Sequence, residues 1–226
     1  MNAIILAAGR GERMRPLSDD IPKPLLCVGG RPLIVWHLEK LAAAGFARVV
    51  INHAHRGEMI EAALGNGARF GVDIVYSHEA QALETAGGIA HALPLLGDAC
   101  FAAINGDVFS DYDYARLARA VEHMRQRECT AHLVLVDNPD HHPDGDFGLH
   151  DERVAFEGAR LTFSGIAVYQ PAMFSGIARG ARAKLLPLLC AEIAARRASG
   201  ERYGGRWRDI GTPARLAAIN RELAAP

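Results

Sequence analysis

The sequence predicts an α/β protein with a Rossmann-like mixed, mostly parallel sheet flanked by helices. Two observations carry this. Short apolar runs alternate with stretches of helical apolar spacing through the first half of the chain. The first run, NAIILA at residues 2–7, is short enough for a buried strand and opens into a loop containing two glycines. With 226 residues, half of them hydrophobic, the chain is long enough to bury one substantial core.

The elements follow in order. Residues 32–44 (PLIVWHLEKLAAA) have helical spacing, begin with proline and stop before Gly45. Residues 47–52 read as a second strand, 57–64 as a short helix, 72–76 as a third strand and 85–96 as a helix. Residues 100–104 (CFAAI) form a central strand, closed by the turn-prone Asn105-Gly106. An amphipathic helix is expected over 112–127. The order then changes to strands at 131–137, 147–150, 154–156 and 161–169, with a polar loop at 138–146. A helix over about 184–198, a short strand around Trp207 and a helix over 213–223 complete the chain, with no repeat or long linker.

Composition excludes several functions. A formal net charge of -1 gives no global attraction for nucleic acid or an anionic membrane, so an anionic ligand must be held locally. No apolar run reaches the length of a membrane span and the N-terminus leads straight into strand pattern, so a cytoplasmic protein is expected. The four cysteines are scattered in apolar contexts without metal or redox spacing and read as buried free thiols. The histidines read as loop or core residues. Only three of the 25 basic residues are lysine: Lys23, Lys40 and Lys184. Lys40 reads as a solvated surface residue.

The loop after the first strand is built to grip phosphate. Small residues let backbone N–H groups approach oxygen atoms, and guanidinium groups offset the charge. Gly9 and Gly11 match the first two glycines of a dinucleotide fingerprint, but Met14 stands where the third belongs, and no triphosphatase loop occurs anywhere. The whole string LAAGRGERMRPLSDDIPKPL resembles the signature of the sugar-phosphate nucleotidyltransferase family, LAAG-x-G-x-R-x-RPL followed by PKPL. The resemblance extends over essentially the whole chain. It implies one domain over 1–226, with a nucleotide-binding half at about 1–110 and a sugar-phosphate-binding half at about 111–226. The implied substrates are a nucleoside triphosphate and a sugar 1-phosphate.

That chemistry joins two anions. A phosphate oxygen attacks the α-phosphorus and pyrophosphate leaves in line, so the site needs cations and orientation rather than a strong base. Mg2+ suits it, taking one or two carboxylates plus phosphate oxygens and water. Asp107, at the carboxyl end of a strand, is either such a ligand or part of an ordinary Asn-Gly-Asp turn. Asp209 is either a second ligand or an aspartate near a helix start.

The resemblance assigns roles. Asp107 and Asp209, in NGD and WRDIGT, would hold Mg2+. Arg15 would neutralise the leaving pyrophosphate, and Lys23 would reach the reacting phosphates. The backbone around Gly9, Gly11, Glu12 and Arg13 would wrap the triphosphate, with Asn105 nearby. Glu79, Thr85 and Gly87 would form the base site. A carboxylate there accepts from an imide N–H, which leans towards uracil or thymine. The family's usual glycine before the threonine is Glu84 in this chain. On the acceptor side Asp146, Gly148, Glu157 and Ser164 would hold the sugar phosphate, although the family's Glu-Lys-Pro is replaced by Glu157-Gly158-Ala159. The strings LETAGG, NPDHHPDGDFGL and LTFSGIAVY are most similar to the subgroup that transfers uridylyl from UTP to N-acetylmuramate α-1-phosphate in peptidoglycan recycling. The rivals are mannose 1-phosphate with GTP, glucose 1-phosphate with dTTP or UTP, and a non-catalytic sugar-nucleotide sensor. Lys184, Arg202 and Arg206 are the cations expected for the lactyl carboxylate of muramate. The sequence gives no oligomeric state.

Overall fold

The computed structural model describes residues 1–224. The chain runs through β1 (Ala3–Leu6), α1 (Leu17–Asp20), β2 (Cys27–Val28), β3 (Arg31–Pro32), α2 (Leu33–Ala43), β4 (Arg48–His53) and α3 (Gly57–Leu64). Next come β5 (Asp73–His78), α4 (Glu84–Leu96), β6 (Phe101–Asn105), β7 (Val108–Ser110), α5 (Arg116–Gln126) and β8 (Ala131–Val136). Then follow β9 (Phe147–His150), β10 (Arg153–Ala155), β11 (Arg160–Tyr169), α6 (Leu185–Ala194), β12 (Ala198–Tyr203), β13 (Trp207–Asp209) and α7 (Pro213–Ala224).

Nine strands form one mixed sheet in the order β5-β4-β1-β6-β11-β8-β12-β10-β9. The first four are parallel, β11 runs antiparallel between β6 and β8, and β12 runs parallel to β8. Side chains alternate across it as strand geometry requires. Ala3, Ile5, Val49, Ile51, Ala102 and Ile104 face one layer, made with α2, α3 and α5. Ile4, Val50, Phe101 and Ala103 face the other, made with α4 and α6. Leu38 and Leu41 of α2 are fully buried in the first layer, each stabilising the fold by roughly 2 kcal/mol. A smaller cluster joins Leu216 and Ile219 of α7 to Met14, Leu33 and Phe109.

This topology locates a crevice. After β1 the chain crosses on the α2 face to β4, whereas α4 returns on the opposite face to β6. The reversal between β1 and β6 is a switch point, where open α/β sheets leave room beyond their carboxyl ends. Register sets Asn105, Leu6, Asn52 and Ser77 in one row along that edge.

Three expectations need correction. The helix expected over 184–198 ends at Ala194, and Arg196 turns the chain at φ +57 into β12, which pairs with β8 along its whole length. Lys40 is half-buried rather than solvated. Its ammonium bonds the Ser110 carbonyl and lies 5.2 Å from the centre of the Tyr114 ring, and burial lowers its pKa to about 8. All four cysteines are free, but only Cys129 is buried and Cys27 is exposed.

Candidate active site

A cavity of about 630 Å³ opens at the switch point. One wall is the loop from Ala7 to Met14. There Gly11 turns at φ +66, where a side chain would be strained, and its Cβ would crowd Lys23 and Ser18 at 3.3 Å. The Gly11 carbonyl accepts from the Met14 N–H and the Ser18 hydroxyl, both at 2.8 Å, which fixes the turn. Gly9 has no heavy atom within 4 Å of where a Cβ would stand, leaving its backbone open to a ligand.

At the reacting end, Asp107 follows β6 and Lys23 meets it from the loop, Nζ to Oδ2 at 2.6 Å, with the Lys23 side chain 11% exposed. Asp209 arrives from the far end of the sequence through the β7–β13 ladder, and the Ile210 N–H donates to the Asp107 carbonyl at 2.7 Å. Its Oδ2 accepts from Arg215. His141 Nε2 is 2.9 Å from Oδ1 but out of line for a hydrogen bond, so this buried oxygen has no donor. Asp107 lines the cavity, whereas Asp209 does not and is tied to it through the backbone; its orphaned carboxylate oxygen suits a hard cation such as Mg2+. Among the described residues no three His, Cys, Asp or Glu side chains are grouped to hold a metal alone. A cation here would take its other ligands from phosphate and water.

The opposite wall rests on a buried relay. Asn52 Oδ1 accepts from the Ala7 N–H at 2.9 Å, and its Nδ2 donates to Glu79 Oε1 at 2.7 Å. Glu79 Oε2 accepts from the Leu83 N–H at 2.8 Å. The relay ties the phosphate loop to the entry of α4, and pairing every member avoids the cost of burying them bare.

The structure therefore redistributes the expected residues. Gly9, Gly11, Glu12, Arg13, Lys23, Thr85, Asn105 and Asp107 line the cavity. Arg15 does not: its side chain is 70% exposed and pairs with Asp19 at 3.1 Å, while Arg10 takes a place on the wall. Glu79 is 2% exposed with both oxygens engaged, and it braces the wall without lining the cavity. Gly87 makes room for a neighbouring segment, since a Cβ there would stand 2.4 Å from the Ala181 carbonyl oxygen.

Asn52 and Arg182, like Arg10, are wall residues outside the expected set. Asn52 was hidden in a strand pattern. Arg182 comes from the segment before α6 and pairs with Glu84 at 2.7 Å, both lining the cavity. Glu84 opens α4 at φ +62, a conformation that costs a non-glycine residue on the order of 1 kcal/mol.

The acceptor set is used mainly in architecture. Ser164 is buried, donating to the Val134 carbonyl at 2.7 Å and accepting from the Ile166 N–H at 3.1 Å. Asp146 Oδ2 accepts from the Phe163 N–H at 2.8 Å, and a Cβ on Gly148 would strike the Glu157 carbonyl oxygen at 1.9 Å. The Glu157 side chain is exposed. None of the four lines the cavity. Arg202 pairs with Asp137 at 2.7 Å and Arg206 with Glu222 at 3.0 Å, while Lys184 is exposed ahead of α6.

The nucleotidyl transferase family matches residues 2–160. The N-acetylmuramate alpha-1-phosphate uridylyltransferase of Neisseria meningitidis serogroup B is 54% identical over 221 residues, covering 96% of this chain and 95% of that protein. The protein of the same name from Caulobacter vibrioides is 35% identical, covering 96% and 94%. A mannose-1-phosphate guanyltransferase of Aspergillus fumigatus is 31% identical over all of this chain and 68% of its own. Among solved structures, a Bacillus anthracis protein in complex with a sucrose superposes with a TM-score of 0.85 at 24% identity, covering 100% and 96%. HddC from Yersinia pseudotuberculosis, complexed with GMP-PN, superposes at 0.76 with 21% identity, covering 98% of each chain. These structures share the fold. The chain belongs to the nucleotidyl transferase family.

Proposed function

We propose that this chain transfers a uridylyl group from UTP to N-acetylmuramate α-1-phosphate, releasing pyrophosphate, within a single domain spanning 1–226. The observation that carries this reading is the Lys23–Asp107 pair at the mouth of a glycine loop, in a chain 54% identical to a uridylyltransferase of that name. Arg10, Arg13 and the amides around Gly9 and Gly11 hold the triphosphate and lower the repulsion between donor and acceptor. Lys23 moves from the Asp107 carboxylate towards the reacting phosphates, its long aliphatic stem allowing the shift. Asp107 and Asp209 would hold Mg2+, which when bound would supply charge stabilisation and alignment of the phosphates. No general base is required, because the attacking phosphate oxygen is already anionic.

A soluble cytoplasmic role in peptidoglycan recycling belongs to the same reading. Among the described residues no helix is long and apolar enough to cross a membrane. The test is a matrix of nucleoside triphosphates against sugar 1-phosphates, read as Mg2+-dependent pyrophosphate release. Highest kcat/KM for UTP with N-acetylmuramate α-1-phosphate supports the assignment. Turnover confined to a hexose phosphate lacking the lactyl ether defeats it and leaves the reaction class standing.

A further inference from the structure

We propose that a second cavity, between α5 and the β8–β12 part of the sheet, binds a small polyhydroxylated anion, a sugar phosphate or a sugar acid. It shares no lining residue with the cavity at the switch point.

Helical spacing puts Arg116, Arg119 and His123 in one row along α5, facing this cavity. Opposite them stand His132 of β8 and Glu201 of β12, with Glu152 from the turn between β9 and β10. His132 shares its face of β8 with Val134 of the first core layer, where an apolar side chain is the ordinary choice. The acids are engaged within the protein. Glu201 accepts from the Tyr112 hydroxyl with one oxygen and from Arg116 with the other. Glu152 Oε2 meets His123 at 3.0 Å and Arg127 at 3.1 Å. Arg119 is exposed and, among the described residues, pairs with no carboxylate. With Arg127 counted and the histidines neutral, three guanidiniums meet two carboxylates, so the cluster holds one positive charge in excess.

The second requirement comes from His132, which is 4% exposed and whose Nε2 is buried without a hydrogen-bond partner. The position of its proton follows from its neighbours. The Ser199 hydroxyl donates to the Ala131 carbonyl at 3.3 Å, so Ser199 Oγ accepts from His132 Nδ1–H at 3.0 Å. In the neutral ring Nε2 is then a bare acceptor. Glu201 Oε1, at 3.9 Å, is too far for a hydrogen bond and is itself an acceptor. A buried acceptor left bare is costly, so the cavity calls for a donor.

Inorganic phosphate answers Arg119 and not His132, and a neutral sugar does the reverse. A sugar carrying a phosphate or a carboxylate answers both, its anionic end on the guanidinium and a hydroxyl donating to Nε2. At about 250 Å³ the cavity lies just below the range of about 300–1,000 Å³ usual for larger ligands, which suits a monosaccharide rather than a nucleotide sugar.

Calorimetric titration of the whole chain with glucose 6-phosphate, gluconate, inorganic phosphate and glucose tests the proposal in wild type, Arg119→Glu and His132→Phe. At least one sugar anion should bind wild type about tenfold tighter than inorganic phosphate or glucose does, and the tighter of the two names the anionic group. Arg119→Glu, at an exposed side chain, should keep the wild-type unfolding midpoint and weaken that binding by about tenfold or more. His132→Phe keeps a ring in the layer and should bring the sugar anion down towards the affinity of inorganic phosphate. Sugar anions that bind no better than inorganic phosphate overturn the proposal. So does an Arg119→Glu chain that binds them as wild type does, because that binding then lies in the first cavity or elsewhere. A ligand-soaked crystal holding only water between His132 Nε2 and Glu201 overturns it as well.

Discussion

The walls of the cavity and the hairpins of the C-terminal half carry their motifs differently. In the first, Gly9 to Arg13 and Lys23 to Pro24 put backbone or side chains directly on the cavity. In the second, Asp146, Gly148 and Ser164 serve strand ends and packing. A motif string can therefore mark a ligand contact or the scaffold that shapes one, and only the partners of each atom separate the two.

Asp107→Asn breaks the contrast at its strongest point. It is expected to lower kcat by about 10³-fold or more with the fold retained, since the amide loses the charge that would hold Mg2+ and that pairs with Lys23. Lys23→Arg should also lose turnover despite keeping its charge, because a planar fork cannot replace a compact ammonium in the space beside Gly11. Steady-state pyrophosphate release measures both, and an active Lys23→Arg enzyme would show that charge alone suffices.

Beneath the nucleotide wall, His37 is buried on α2 against the Tyr114 hydroxyl at 2.7 Å. Burial first, then nearby Lys40, lowers its pKa from 6.5 to about 4. The unfolded chain thus binds the extra proton between those values and the folded chain does not. Stability should fall as pH drops from 6.5 to 4, by at most about 3 kcal/mol from this group. Urea unfolding across that range measures the slope, and His37→Gln should flatten it.

On the acceptor side Ser164→Ala is expected to cost roughly 1–3 kcal/mol by stranding the Val134 carbonyl and the Ile166 N–H. The KM for the sugar phosphate should stay within about twofold, since the hydroxyl is buried. A large rise in that KM at unchanged stability would reverse the comparison. The smallest effects sharpen it within one loop. Arg10→Ala should raise the UTP KM about tenfold, whereas Arg15→Ala, which loses only an exposed pair with Asp19, should change it little.

The four parallel strands of the first half were legible because each carries an apolar run, whereas the two-residue strands β2 and β3 were too short to leave one. β12 was not legible either. Its sequence ASGERY lacks apolar residues at the alternating positions, because Glu201 is drawn inside by the Tyr112 hydroxyl and Arg116. The cavity's phosphate wall was readable from local spacing. The opposite wall was not, since the burial of Glu79 depends on Asn52 and the pairing of Glu84 on Arg182, 98 positions away. Long-range partners leave no trace in local composition.

The ladder between β7 and β13 bears on the order in which the enzyme becomes competent. Asp107 follows β6, whereas Asp209 and the Ile210 N–H that ties to its neighbourhood stand far later in the sequence. All nine strands of the main sheet precede them. The main sheet can thus form before β13 docks on β7 and brings Asp209 beside the Asp107 backbone, so the sheet and this edge of the cavity can order separately. Trp207→Ala, which loosens β13 while leaving the main sheet's strands intact, should lower pyrophosphate release more than it lowers the unfolding midpoint, and equal losses would refute the separation.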